Sequence, residues 1–96
     1  MAYKKSVKAD EDIVSIFLYG AKNFGLEQAE KYHGELENIF TLLSQNPQIA
    51  RERTEFQPAV RIHFHQMHVI VYIINKTDIL ILRVLDGRQN WEKFLT

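Results

Sequence analysis

The spacing of apolar residues changes once along this chain, and that change constrains the fold more than any other feature. Up to residue 45, apolar residues recur at steps of three and four, which is the period of an amphipathic helix. From Val60 onwards they alternate or run continuously, which is typical of β-strands. A chain of 96 residues suits one domain. We therefore expect a single domain over residues 1–96 in which helices and strands share a core.

Two consecutive helices are predicted in the first half. The first covers 7–24, and the hydroxyl of Ser6 is placed to cap it by accepting a hydrogen bond from a free amide of the first turn. The second covers 26–45 and stops before Pro47, because proline cannot continue the helical hydrogen-bond ladder. Gly25 is placed to end the first helix in a left-handed conformation. So short a link predicts an antiparallel helical hairpin.

Strands are predicted in the second half, with one more short strand at the N-terminus. The segment 79–82 is apolar at every position, so its strand should be central in the sheet. Residues 47–58 are expected to be irregular. The predicted strands cover 3–5, 60–65, 68–74 and 79–85, and a short C-terminal helix or tail covers 88–96.

This order of elements predicts an α+β fold. The helical hairpin is expected to pack on one face of an antiparallel sheet of three to four strands. The alternation within 60–65 separates Val60, Ile62 and Phe64 from the polar side chains between them. We expect the other face of the sheet to carry these polar residues, which are Arg61, His63 and His65, with Arg83 as a further candidate.

Composition excludes several classes of function. The net charge is zero, which argues against a generic nucleic-acid coat and against a polybasic membrane binder. No apolar run approaches the ~18–20 residues of a membrane span, and no apolar signal region follows the N-terminal lysines. The chain has no cysteine, which fits a reducing compartment. We therefore expect a cytoplasmic protein with no membrane partner and no sequence-specific nucleic-acid binding of its own.

The neutral total conceals an uneven distribution of charge. The first 48 residues carry five lysines and seven acidic residues, and the last 48 carry two lysines, all five arginines and five acidic residues. The halves therefore sit near −2 and +2. Arginine suits bidentate recognition of carboxylate or phosphate, and Arg61 and Arg83 lie on strands that can be neighbours. Either they bind an anionic partner from one sheet face, or each pairs with an internal acid such as Glu55 or Asp86.

Signals for catalysis or metal binding are weak. His63, His65 and His68 form the densest cluster of metal-ligand types, but no cysteine or nearby carboxylate completes a ligand set. No serine stands in a nucleophile elbow, and the glycines are too scattered for a phosphate-binding loop. We predict no catalytic residue, no metal and no cofactor. The acidic residues at 10–12 are interpreted as complementing the helix dipole, and the three tyrosines at 19, 32 and 72 as core residues.

The joint spacing of a larger set of residues resembles the ParE toxins, which belong to the RelE/ParE superfamily of bacterial toxin–antitoxin modules. Each position alone is weak evidence for the resemblance, but together the positions span almost the whole chain. They are Tyr3, Ser6, Ala9, Asp12, Ile13, Ile16, Tyr19, Phe24, Gly25, Gln28, Ala29, Tyr32, Leu36, Pro47, Arg61, His68, Tyr72, Arg83, Val84 and Leu85.

This resemblance implies a non-enzymatic toxin that inhibits DNA gyrase and is neutralised by a cognate antitoxin protein in a hetero-oligomer. The alternative within the superfamily is a RelE-like ribosome-dependent mRNA endonuclease, which uses sheet-borne basic residues with a tyrosine or histidine near the C-terminus. Here the last tyrosine is Tyr72 and the last histidine is His68. The tail thus lacks the usual general acid or base, which favours gyrase inhibition. A third hypothesis is a module that has lost toxicity but still binds antitoxin.

Candidate recognition residues follow from the resemblance and from the tail. Arg61 and Arg83 match family positions and are predicted to recognise charge on a partner or target. Arg88, Trp91 and Phe94 are predicted to make tail contacts, although Trp91 is equally suited to packing on the sheet. Asp86 departs from the family, because many members carry a histidine there.

Overall fold

The computed structural model describes residues 2–95 and confirms the α+β fold, with a helical hairpin laid on a sheet. The predicted bounds of both helices match the structure. The elements are β1 (Ala2–Lys5), α1 (Val7–Phe24), α2 (Leu26–Gln45), β2 (Glu52–Arg53), β3 (Val60–His65), β4 (His68–Asn75), β5 (Asp78–Asp86) and a C-terminal 3-10 helix (Trp91–Leu95). The last residue of the predicted tail, Thr96, lies outside the described residues.

The sheet has five strands in the order β1-β5-β4-β3-β2. β5 is central, as predicted, because β1 and β4 flank it. β1 runs parallel to β5, whereas the other neighbouring pairs are antiparallel, so the sheet is mixed rather than antiparallel throughout. β2 lies inside the stretch predicted to be irregular, and its two charged residues carry no alternation that would reveal a strand.

The hairpin is fixed to the sheet at its first turn. Ser6 accepts a hydrogen bond from the Ala9 amide at 3.0 Å, which confirms the predicted cap. The same hydroxyl donates to the carbonyl of Leu82 in β5 at 2.8 Å. Gly25 has φ 94°, a backbone angle that L side chains rarely adopt, and it joins α1 directly to α2. The start of α1 is therefore tied to the middle of the sheet.

Apolar residues cover both faces of the sheet. The hairpin-side core holds Ala9, Ile13, Leu36, Phe40, Leu43, Ile70, Tyr72, Ile79, Ile81 and Val84. The outer core holds Phe56, Val60, Ile62, Val69, Val71 and Leu85, with Trp91 and Leu95 of the 3-10 helix packed against it.

The prediction that the polar side chains of β3 lie on the sheet face away from the hairpin is wrong. Arg61 lies opposite Tyr72 and His63 lies opposite Ile70, and both partners belong to the hairpin-side core. The polar set of β3, including His65, therefore lies on the hairpin face. Residues 54–59 and the 3-10 helix provide a second apolar cover, which takes the alternate set Val60 and Ile62. Because this cover has no helical periodicity, the sequence pattern revealed only the hairpin.

A β-bulge in β5 separates the two predicted recognition arginines. Tyr72 lies opposite Ile81, but its neighbour Val71 lies opposite Arg83, so Leu82 is the extra residue. Arg61 is paired with Tyr72 and Arg83 with Val71, so the bulge takes the two arginines out of alignment across β4. The Arg83 side chain reaches Asp12 of α1, whereas Arg61 reaches the carbonyl of Ala50. The expectation that both arginines lie together on the face away from the hairpin is therefore wrong. In the part of the chain described, no helix is long and apolar enough to cross a membrane.

Candidate functional site

An open apolar cavity of about 300 Å³ lies between the two helices and the turn that joins β3 to β4; we call it the hairpin groove. A second depression of about 290 Å³ adjoins it on the side of the 3-10 helix. The two have four lining residues in common. The shared residues are Ile16, Tyr19, Met67 and His68.

Small residues and exposed apolar side chains shape the groove. A Cβ added at Gly20 would lie 3.5 Å from the Cβ of Ala29, so the two helices meet closely there. At the rim, Tyr19 is 54%, Phe24 61% and Met67 38% exposed. Tyr19 was predicted to be a core residue, and this prediction is wrong, whereas Tyr72 is fully buried as predicted. Contiguous exposed apolar surface of this kind marks an interaction site.

The groove has one polar pair in its lining. The hydroxyl of Tyr32 lies 2.5 Å from Nδ1 of His68, joining α2 to the start of β4. Desolvation by burial lowers the pKa of His68. Desolvation, with the charge of Glu35 adding to it, raises the pKa of Tyr32 to about 12. The phenol and the imidazole are therefore both neutral near pH 7.

A second histidine packs against the same tyrosine. The His65 ring stacks on the Tyr32 ring with centroids 5.9 Å apart. Its Nε2 lies 3.4 Å from a carboxylate oxygen of Glu35, without the alignment of a hydrogen bond. The same oxygen accepts a hydrogen bond from Gln66 at 2.9 Å. These contacts fix the end of the β3–β4 hairpin to α2.

The histidine cluster gathers around an aromatic ring. His65 and His68 each pack against Tyr32, and His63 sits further along β3, opposite Ile70. Within residues 2–95, no three metal-ligating side chains come together in a way that would hold an ion.

The sequence pattern did not predict that Asp12 joins α1 to β5. Its carboxylate accepts two hydrogen bonds from the Arg83 guanidinium, at 2.8 and 3.0 Å, and one from the Val84 amide at 2.9 Å. Hydrogen bonding to Asp12 raises the pKa of Arg83. The internal acid that pairs with Arg83 is thus neither Glu55 nor Asp86. Asp12 directly precedes the buried Ile13, and that position was the available signal that it faces the sheet.

Three of the other arginines also have partners within the chain. Arg61 donates to the carbonyl of Ala50 at 2.6 Å, which pins the segment after α2. Arg53 pairs with Glu55 at 2.7 Å. Arg88 forms a two-point pair with Asp86 at 3.0 and 2.8 Å, and this contact lowers the pKa of Asp86 to about 2. With Arg83 included, four of the five arginines therefore have a partner within the chain.

The structure brings together only part of the predicted site. Arg83, Arg88 and Phe94 all line the second depression, and the Phe94 ring lies 5.4 Å from the Arg83 guanidinium carbon. Trp91 instead packs on the outer face of the sheet, with its ring centroid 5.9 Å from that of Phe64. Arg61 lies on the hairpin face against the segment after α2. The roles of all five residues in recognition remain predictions.

The half-buried His63 and the buried His68 predict a loss of stability at mildly acidic pH. Burial lowers the pKa of His63 and of His68 below the usual 6.5. Below that pH the unfolded chain therefore binds more protons than the folded one, and the free energy of unfolding falls until the folded-state pKa values are passed. Asp86 and Glu55, whose pKa values are lowered, titrate at lower pH. Urea unfolding at pH 7.5 and 5.5 measures the loss.

His68→Gln supplies the control for that pH dependence. The variant removes one of the two titrating groups, so its stability should change less than that of the unmodified chain between the same two pH values. Stability that rises on acidification, or an equal loss in the variant, would contradict the assignment.

Known proteins resemble this chain both in sequence and in fold. The family model described as "ParE toxin of type II toxin-antitoxin system, parDE" matches residues 3–91. Toxin ParE3 of Caulobacter vibrioides is 32% identical over 79 residues, covering 82% of this chain and 79% of that protein. A structure titled "Chromosomal ParDE TA system from P. aeruginosa" shares the fold with a TM-score of 0.77 and 23% identity, over 90% of this chain and 95% of that chain. With the family model matching nearly the whole chain, the protein belongs to the ParE toxins of type II toxin–antitoxin systems.

Proposed function

We propose that this toxin acts by inhibiting DNA gyrase without enzymatic chemistry of its own, and that a cognate antitoxin protein neutralises it. The observation against RNA cleavage is the burial of the last tyrosine. Tyr72 is fully buried, and its hydroxyl donates to the carbonyl of Pro47 at 2.9 Å. A general acid or base must reach the substrate's proton, and the Tyr72 hydroxyl is closed off from any substrate.

We place the antitoxin in the hairpin groove and the depression that adjoins it. The groove is lined mainly by apolar residues and shares Ile16, Tyr19 and Met67 with the depression, which suits a segment that folds on binding and presents apolar residues along one side. The two arginines that line the depression, Arg83 and Arg88, are already paired with Asp12 and Asp86. Apolar contacts should therefore supply most of the affinity, with Arg88 and Phe94 at the end of the depression. Gyrase inhibition would place this activity in the bacterial cytoplasm.

Expression in cells separates this proposal from its alternatives. Induction of the toxin alone should arrest growth, with incorporation of labelled thymidine falling before incorporation of labelled amino acids. Co-expression of the small protein encoded by the neighbouring reading frame should restore growth. If amino-acid incorporation falls first, with codon-specific cuts in ribosome-bound mRNA, the endonuclease hypothesis is correct. Unimpeded growth of cells that contain the folded protein would indicate a module without toxicity.

A further inference from the structure

The hydrogen bond between Tyr32 and His68 determines where the imidazole proton resides. With its pKa raised to about 12, the Tyr32 phenol keeps its proton near pH 7. Burial lowers the pKa of His68, so its ring is neutral and carries one proton. The Tyr32 hydroxyl lies 2.5 Å from Nδ1 and has no other acceptor among the described residues, so we infer that the phenol donates its proton to this nitrogen. The ring proton consequently lies on Nε2, which is a hydrogen-bond donor.

That donor has no acceptor among the described residues. Asp86 lies opposite His68 in the strand register, but its carboxylate oxygens accept from Arg88. His65 and His68 each pack on the Tyr32 ring, and neither bonds to the other. His68 is only 9% exposed, yet its Nε2 is not sealed from solvent. The residue lines both the hairpin groove and the second depression.

We propose that the groove recognises a partner segment with apolar side chains and one hydrogen-bond acceptor oxygen, a carbonyl or a carboxylate, placed over Nε2 of His68. The inference rests on the proposed docking of the antitoxin here and adds a chemical requirement to it. The apolar walls can accept many side chains. A segment that leaves the nearly buried Nε2 donor of His68 unpaired binds with lower affinity. His68 is thus the residue that sets the register of the segment in the groove.

The tautomer is tested on the free protein without any partner. A long-range proton–nitrogen correlation spectrum of ¹⁵N-labelled protein at pH 7.5 distinguishes a protonated from an unprotonated ring nitrogen. We expect His68 to show protonated Nε2 and unprotonated Nδ1. Protonation on Nδ1, or on both nitrogens, would overturn the proposal before any ligand is added.

The acceptor requirement is tested with two small probes of matched shape, ethylbenzene and acetophenone, of which only the second carries an acceptor oxygen. Both should perturb the amide resonances of Gly20, Ala29 and Met67. The comparison is made in Tyr32→Phe and in Tyr32→Phe/His68→Phe, because the shared background leaves no tyrosine hydroxyl without a partner, and a neutral His68 can still carry its proton on Nε2 when an acceptor binds there. The ratio of acetophenone to ethylbenzene affinity should fall about three- to tenfold when His68 is lost, the worth of one neutral hydrogen bond.

The two probes test the acceptor requirement at His68 separately from the apolar docking site. If both probes bind and the affinity ratio is the same in the two variants, the acceptor requirement is wrong while the apolar docking site stands. If neither probe binds at the groove, the docking site and the inference both fail. In the unmodified protein, acetophenone but not ethylbenzene should shift the Nε2 resonance of His68. An unshifted resonance at saturating acetophenone would overturn the proposal even if the variants fail to fold.

Discussion

Replacing Asp12 with alanine is expected to lower the free energy of unfolding by about 3 kcal/mol, the scale for removing one member of a largely buried ion pair. The Asp12 and Arg83 side chains are only 16% and 19% exposed. The substitution leaves the Arg83 guanidinium beside apolar residues without its counter-charge, and it also strips the acceptor from the Val84 amide. Urea or thermal unfolding monitored by circular dichroism measures the change.

Asp10 provides a matched control on the same helix. Its carboxylate lies 3.4 Å from Lys5, and its side chain is 57% exposed, so Asp10→Ala should cost no more than about 0.5 kcal/mol. Both substitutions remove one acidic residue near the start of α1 and therefore alter the helix dipole interaction similarly. Equal effects of the two variants would show that Asp12 complements the dipole, as the sequence suggested, and does not fasten α1 to β5.

Replacing Tyr19 with glutamate is expected to weaken antitoxin binding about 100-fold, because an unpaired charge would be buried in an apolar interface. Tyr19 lines both the hairpin groove and the depression beyond it. Since its side chain is 54% exposed, the folded state should tolerate the change. Titration calorimetry with the cognate antitoxin gives the affinity, and growth of co-expressing cells shows whether neutralisation is lost.

Leu18 is the control for this substitution. It neighbours Tyr19 on α1 and is 61% exposed, but it lines neither cavity. Leu18→Glu therefore adds the same charge to the same helix outside the groove, and antitoxin affinity should stay within about threefold of the unmodified chain, as for exposed positions away from a contact. Equal weakening by both variants would place the antitoxin on the outer face of α1.

Local signals in the sequence were sufficient to predict both helices and every strand except β2. Ser6 and Pro47 mark helix ends by chemistry that depends on a few neighbouring residues. Likewise, the continuous apolar run at 79–82 reflects burial on both faces of β5, and its central position is confirmed. The spacing of single residues along the whole chain was enough to indicate the ParE family, which the family model confirms.

Features that depend on contacts between distant segments were not predictable in the same way. The bulge at Leu82 shifts the register of β5 by one residue, which takes Arg83 out of alignment with Arg61. The second apolar cover on β3 comes from irregular segments with no period, so Arg61, His63 and His65 were assigned to the wrong face. The groove itself depends on the exposed rim residues Tyr19 and Met67, whose apolar character alone looks like that of core residues.

Inhibition of gyrase, reversed by the antitoxin, is the activity that we propose for this ParE toxin. The most direct test adds the purified toxin to DNA gyrase and relaxed plasmid. We expect supercoiling to stop and cleaved gyrase–DNA complexes to accumulate as toxin is added. Prior addition of the antitoxin should restore supercoiling for the unmodified toxin and fail to do so for Tyr19→Glu. Unchanged supercoiling and no cleaved complexes at a large excess of folded toxin would show that the protein does not inhibit gyrase.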